Sequence, residues 1–331
     1  MSLIFFEDFQ VGETRDYGDW LIDEAELLDF SAAYDAQPFH LDAAAAKKTI
    51  LGGLAASGWQ VCSALMRMMI DAWLNDSSVV AGIGIEDNRW LAPVRPGDRL
   101  TAQTTTVEKR DLRSRPDAGI ATFATSLRNQ AGQEVMTQRI AMLFGRREKL
   151  VSPAAAAPRR PPASPPPERI DDPAGAMPED FPRARVGAYA ELGETLFTAD
   201  LIRAYALKYD PAPFHIDEAA GRAHVLGAMS AAGLHTASCW MSHFVAARLR
   251  LGRLQSRASP GFRDMLWRRP VLVGDLLAFS TQVVAKRETS KEGLGLITSR
   301  NLGVNQRGEV ALEFYASVFA PIGDEPISPA I

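Results

Sequence analysis

One stretch of nine residues occurs twice, and that repetition constrains the fold more than any other feature of the chain. Tyr34-Asp35-Ala36-Gln37-Pro38-Phe39-His40-Leu41-Asp42 returns as Tyr209-Asp210-Pro211-Ala212-Pro213-Phe214-His215-Ile216-Asp217, identical at six of nine positions and displaced by 210 − 35 = 175 residues. The register extends beyond the stretch. Val11-Gly12 matches Val186-Gly187, and Leu51 to Gly58 matches Leu226 to Gly233, at the same displacement. A repeat of this length means two copies of one domain in tandem. With 331 residues, each copy has about 150, enough to bury a full core.

Inside the repeated stretch, local rules predict a helix, a bend and a second short helix. Leu27, Leu28, Phe30 and Tyr34 give residues 24–34 an apolar stripe, with Asp23 and Glu26 as a capping start and Thr198 as the equivalent cap in the second copy. Pro38 and Pro213 force the preceding residue out of the helical region, so the helix ends near the Asp. Asp42 and Asp217 then read as caps of short helices, 43–48 in the first copy. On one continuous helix, residues five apart point roughly 140° from each other. Across a proline bend the Asp and the His can converge into a carboxylate–imidazole pair able to hold one water. Read alone, Asp35 serves equally as a loop cap and His40 as a packed histidine. The repeat favours chemistry: of the five histidines, at 40, 215, 224, 235 and 243, only His40 and His215 are related by the displacement. His40 with Asp42 offers too few ligands for a metal, so no metal site is expected.

The net charge of −4 argues against a general nucleic-acid binder. No apolar run is long enough for a bilayer, and the N-terminus, Leu3 to Phe6 followed by Glu7 and Asp8, lacks the basic segment of a signal peptide. Cys62 and Cys239 occupy non-equivalent positions in apolar helical stretches, as reduced packing residues do, which points to a cytoplasmic protein.

Further along each copy, a long apolar helix is expected over Leu54–Leu74 and Met229–Leu249, buried on most faces. Strand signals follow at Trp90–Val94 and Trp267–Val271, with turns at Gly97-Asp98 and Gly274-Asp275. Val310, Leu312, Phe314, Ala316 and Val318 alternate with a second set of residues at strand period, as do Met136, Ile140, Met142 and Phe144, and Asn129–Gly132 and Asn305–Gly308 read as hairpin turns. Between the copies, prolines and a run of alanines predict an extended linker. Each copy is therefore one helix wrapped by an antiparallel sheet, an α+β domain, and an open sheet edge can extend across to the other copy.

These residues resemble the MaoC-like dehydratases, the family that contains the (R)-specific enoyl-CoA hydratases. The family pattern Gly-Asp-x-Asn-Pro-x-His-x-Asp is matched by Asp35, Pro38, His40 and Asp42 and again by Asp210, Pro213, His215 and Asp217. The glycine that opens the family's central helix falls at Gly58 and Gly233, eighteen residues after each His (58 − 40 and 233 − 215). Three positions depart: the family Asn is Gln37 or Ala212, the Gly before the Asp is Tyr34 or Tyr209, and the His before the helix glycine is Ser57 or Ala232. The resemblance implies two tandem hotdog domains over 1–148 and 181–325, joined by a linker over 149–180 and packed as an intramolecular pseudo-dimer. It implies reversible addition of water to a trans-2-enoyl thioester, a hydro-lyase reaction of fatty-acid type. Asp35, His40, Asp210 and His215 would act as catalytic groups, Gly58 and Gly233 as thioester-oxygen donors, and Gln37 and Ser57 would lie near substrate. Coenzyme A or an acyl carrier enters as part of the substrate, with no separate cofactor, nucleic acid or membrane partner. Lys109, Arg110, Arg113 and Arg115, and Lys286, Arg287 and Lys291, are candidate phosphate contacts. A thioesterase on the same fold and a non-catalytic acyl-thioester-binding protein are the competing readings.

Overall fold

The computed structural model describes residues 3–49, 51–112, 115–148, 165–253 and 258–323. The first half runs β1 (Thr14–Leu21), α1 (Glu24–Tyr34), α2 (Pro38–Leu41), α3 (Ala43–Lys47), α4 (Gly58–Met69), β2 (Val79–Trp90), β3 (Arg99–Asp111), β4 (Ala118–Arg128) and β5 (Glu134–Gly145). After β6 (Ile170–Asp171) and α5 (Pro173–Ala176), the second half repeats the order as β7 (Ala188–Leu196), α6 (Ala199–Tyr209), α7 (Pro213–Ile216), α8 (Glu218–Ala223), α9 (Gly233–Arg250), β8 (Gly261–Trp267), β9 (Leu276–Glu288), β10 (Leu294–Asn305) and β11 (Val310–Pro321).

The strands form one sheet in the order β1-β3-β4-β5-β2-β8-β11-β10-β9-β7-β6. Apart from the short β6, the order is the same read from either end once equivalent strands are exchanged. The two halves meet where β2 lies antiparallel to β8, with Ile85 opposite Met265 and Asn88 opposite Phe262. Two edges that each half would otherwise expose are thereby paired. Each half wraps its strands around its own long helix, which is the hotdog arrangement expected, and the class is α+β. No helix among the described residues is long and apolar enough to cross a bilayer.

Side chains seal the junction. Trp59 of α4 stacks on Phe262 of β8 with ring centroids 5.0 Å apart. Phe30 and Tyr34 of α1 meet Tyr209 and Tyr205 of α6 edge-on at 5.5 and 5.8 Å, and Ser63 hydrogen-bonds the Tyr205 hydroxyl at 2.6 Å. One continuous apolar core draws residues from both halves. Aromatic burial on this scale makes the two halves an intramolecular pseudo-dimer rather than beads on a string. Tyr34 and Tyr209, which replace a glycine of the family pattern, thus hold the two halves together.

Three expectations need amendment. The long helices start at Gly58 and Gly233 rather than at Leu54 and Met229. The four residues before each start are extended because Ala56 N–H bonds to Val94 O at 2.8 Å, and Ala231 N–H to Val271 O at 2.8 Å. At its far end α4 widens into a π-helical turn over Ile70–Leu74. The strand signal at Trp90–Val94 marks the end of β2, with Leu91–Val94 beyond it as the segment that receives the Ala56 N–H. Of the linker expected over 149–180, residues 149–164 lie outside the described residues, and the part from Ile170 packs into the fold. Ile170 and Asp171 pair in parallel with β7, and Ala176 and Met177 are buried.

Candidate active site

The bend works as the prolines require. In α1, Asp23 accepts from Glu26 N–H at its start, and the chain leaves helical geometry at Asp35, where φ is −147°. Pro38 opens the single turn of α2, and Asp42 then caps α3 by accepting from Ala45 N–H at 2.8 Å. This path turns the side chains of Asp35 and His40 toward each other, with Oδ2 and Nε2 3.4 Å apart. The second copy follows the same path and sets Asp210 Oδ2 3.7 Å from His215 Nε2.

Hydrogen bonding fixes the tautomer of both imidazoles. His40 Nδ1 lies 2.7 Å from Ala55 O, and His215 Nδ1 lies 2.6 Å from Ser230 O. A carbonyl oxygen only accepts, so Nδ1 carries a proton, and in the neutral imidazole Nε2 presents a lone pair toward the carboxylate. Two acceptors therefore face one another. A water between them can donate one hydrogen to each, which leaves its own lone pair exposed as a nucleophile.

The two carboxylates differ in their support. Asp35 Oδ1 accepts from Gln37 Nε2 at 2.8 Å, and Oδ2 accepts from the buried Ser57 hydroxyl at 2.7 Å. Gln37 and Ser57, both departures from the family pattern, thus orient the acid. In the second copy these positions are Ala212 and Ala232, whose side chains have nothing to donate. Burial pushes the Asp210 carboxyl above its ordinary range, opposed in part by His215 and by the backbone at Ala212.

Gly58 is the first residue of α4, where an N–H has no intrahelical acceptor and the helix dipole is positive. A β-carbon at Gly58 would come within 2.3 Å of the Trp90 indole, and one at Gly233 within 2.3 Å of the Trp267 indole. Glycine is required at both places by tryptophan packing, which also keeps the N-terminal turn bare.

A cavity of about 600 Å³ opens at the first pair. Its wall includes Asp35, Gln37, His40 and Gly58, while Asp210, His215 and Gly233 are absent from that wall. Ser57 supports Asp35 from behind without lining the cavity. The far wall comes from the second half: Trp240, Phe244 and Arg248 of α9, and Ile297, Ser299 and Asn301 of β10. None of these was singled out from the sequence. The signal was present in a comparison of the two copies. Strand register makes Ser299, opposite Ala316, the counterpart of Phe123, opposite Ile140. The displacement makes Arg248 the counterpart of Trp73 (248 − 175) and Ala184 the counterpart of Phe9 (184 − 175). In the first half Phe9, Trp73 and Phe123 pack ring against ring at 5.3 to 5.9 Å, joined by Phe144 at 4.6 Å from Phe9. In the second half the counterparts are Ala184, Arg248 and Ser299, of which Arg248 and Ser299 line the cavity, and the core there breaks into a main cluster and a small separate one that holds Ala184.

Three of the candidate basic side chains are engaged within the fold. Lys109 Nζ donates to Phe9 O at 2.6 Å, Arg115 pairs with Asp117 at 2.9 Å, and Lys286 donates to Phe181 O at 3.3 Å. Arg113 lies outside the described residues.

Comparison with known proteins agrees with this architecture. The model of the MaoC-like domain matches residues 8–126, and that of the FAS1-like dehydratase domain region matches residues 184–314. The uncharacterized protein YdeM of Bacillus subtilis (strain 168) is 24% identical over 140 residues, 42% of this chain and 98% of that protein. A MaoC domain protein from Chloroflexus aurantiacus J-10-fl superposes with a TM-score of 0.76 at 17% identity, over 96% of this chain and 97% of that one. RV0216 of Mycobacterium tuberculosis, described as a double hotdog fold, superposes with a TM-score of 0.72 at 16% identity, over 96% and 98% of the two chains. With a dehydratase match in each half and a double-hotdog architecture end to end, the chain belongs to the MaoC-like dehydratase family.

Proposed function

We propose that the protein is a hydro-lyase that adds water reversibly to a trans-2-enoyl thioester of coenzyme A or an acyl carrier, and that the first Asp/His pair performs the reaction. The observation that carries the reading is the placement of Asp35 and His40, 3.4 Å apart, on the wall of a cavity that also contains the start of α4. Water held between Asp35 Oδ2 and His40 Nε2 attacks the β-carbon of the enoyl group. One of the pair takes a proton from the water as the C–O bond forms. Negative charge moves through the conjugated system to the thioester oxygen, where the Gly58 N–H and the helix dipole stabilise the enolate. Return of the proton to the α-carbon completes a redox-neutral addition, which needs no cofactor beyond the thioester carrier.

The second pair lacks the donors that orient Asp35 and does not border the cavity. It is assigned a structural role.

The test is the loss of enoyl-thioester absorbance in the presence of a thiol reagent. Hydration bleaches the absorbance and releases no thiol. Asp35→Asn and His40→Ala should each lower kcat/KM by about 10² to 10⁴, with circular dichroism unchanged. Turnover that survives both substitutions would sink the assignment, and stoichiometric thiol release would make the protein a thioesterase.

A further inference from the structure

The cavity that receives the enoyl group carries a buried cation on its far wall. Arg248 sits near the C-terminal end of α9, 8% exposed, and borders the same cavity as Asp35 and His40. On that wall Phe244 and Trp240 lie one and two turns back along the helix, and β10 contributes Ile297, Ser299 and Asn301. Burial and the nearby Arg253 pull the guanidinium down to about 10, and Asp35 opposes that shift, so it stays charged at neutral pH. The second arginine on the wall, Arg95, is committed elsewhere. Its Nη1 donates to Gly53 O at 2.6 Å and Leu54 O at 3.0 Å, and its Nη2 to Leu51 O.

Two facts make Arg248 more than a packing residue. At the same displacement in the first half the chain has Trp73, an apolar ring packed against Phe9 and Phe123. A buried cation is costly unless a charge or several acceptors answer it. Arg248 does make an interaction within the fold, but a guanidinium presents five donors in a planar fork, enough to serve the fold and a ligand together. On the same cavity wall Ser299 stands where the first half has Phe123, which opens room for the tail of an acyl chain.

We propose that the acyl group bound here ends in a carboxylate, and that Arg248 is the residue that selects it. The inference rests on the thioester reading above and narrows it to enoyl thioesters of dicarboxylic acids.

Equilibrium binding tests it without requiring turnover. Succinyl- and glutaryl-CoA are compared with butanoyl- and pentanoyl-CoA, of equal carbon number, and with free coenzyme A. The better carboxylated ligand should bind at least about tenfold more tightly than its methyl-ended counterpart, the lower end for a hydrogen-bonded charged pair. Arg248→Met should bring that ratio close to one, and Arg248→Lys should restore part of it, because an ammonium keeps the charge without the fork. A wild-type ratio near one overturns the proposal. So does an Arg248→Met protein in which both tails weaken by the same factor, which would assign Arg248 to the fold. Equal weakening of free coenzyme A would assign it to a phosphate and has the same consequence. Tail selection without hydration would instead overturn the reaction assigned above and leave this inference standing. Hydration without tail selection would do the reverse.

Discussion

At the scale of single residues, the proposed chemistry depends on what surrounds Asp35. A carboxylate that accepts from the side chains of Gln37 and Ser57 and faces His40 is held in one orientation, whereas Asp210, with alanines at both supporting positions, has its histidine and the backbone at Ala212. Ser57 has a second duty, since its hydroxyl oxygen accepts from Trp59 N–H at 3.2 Å as the cap of α4. Ser57→Ala removes one of the two side-chain donors that the second copy lacks. It should reduce kcat/KM about tenfold to a hundredfold, the worth of a hydrogen bond to a charged group, and lower stability by about 1 kcal/mol through the lost cap. Steady-state kinetics and urea unfolding read the two effects separately, and an activity equal to wild type would remove Ser57 from the positioning role. Asp35, His40 and the capping aspartates were legible in the sequence because proline geometry and capping are local. Arg248 was not, because its meaning comes from a cavity whose walls lie more than two hundred residues apart in the chain (248 − 35 = 213).

At the scale of elements, repeat register located α1 and α6, the capped short helices α3 and α8, the long helices α4 and α9 and the hairpin turns at Asn129–Gly132 and Asn305–Gly308, and missed α5 and what tertiary contacts impose. Residues 54–57 are as apolar as the helix they precede, yet the bond from Ala56 to Val94 O keeps them extended. Residues 170–177 look like linker by composition, yet pairing with β7 and burial of Ala176 and Met177 order them. The packing of α9 against α1 and α6 carries a titratable group that periodicity could not single out. His235 of α9 is fully buried, stacks on Tyr205 at 4.4 Å, and has no hydrogen-bond partner on either ring nitrogen among the described residues. Burial pushes it down from 6.5 to about 3. The folded protein keeps His235 neutral while the unfolded chain takes up a proton below pH 6.5, so stability falls with pH from there toward about 3. One such proton contributes a slope of about 1.4 kcal/mol per pH unit. His235→Phe should flatten the dependence by that amount, measured as urea midpoints at pH 7.5 and at pH 5. Equal slopes in both proteins would remove His235 as the cause.

At the scale of the whole molecule, one sheet and one shared core join two copies that have diverged in opposite directions. The first keeps the supported acid and fills its sheet with aromatic rings, and the second loses the support and opens a cavity toward its neighbour. Asp210→Asn separates these roles. Because burial raises the Asp210 carboxyl, the folded state retains that proton to higher pH than the unfolded chain, and ionisation above the raised value costs stability. The variant should therefore be at least as stable as wild type at pH 7, with the gain vanishing once both states are protonated, below about pH 3.8. It should also keep kcat within about twofold, in contrast to the loss of about 10² or more expected at Asp35. A collapse of turnover on Asp210→Asn would return the second pair to catalysis. The junction of β2 with β8 has a last consequence. In an assembly of two identical subunits, any side chain that plugs one end must plug the other, and any residue that opens one end must open both. Joining the subunits into a single polypeptide removes that obligation, so one partner can specialise in reactivity while the other becomes the mould for whatever is bound.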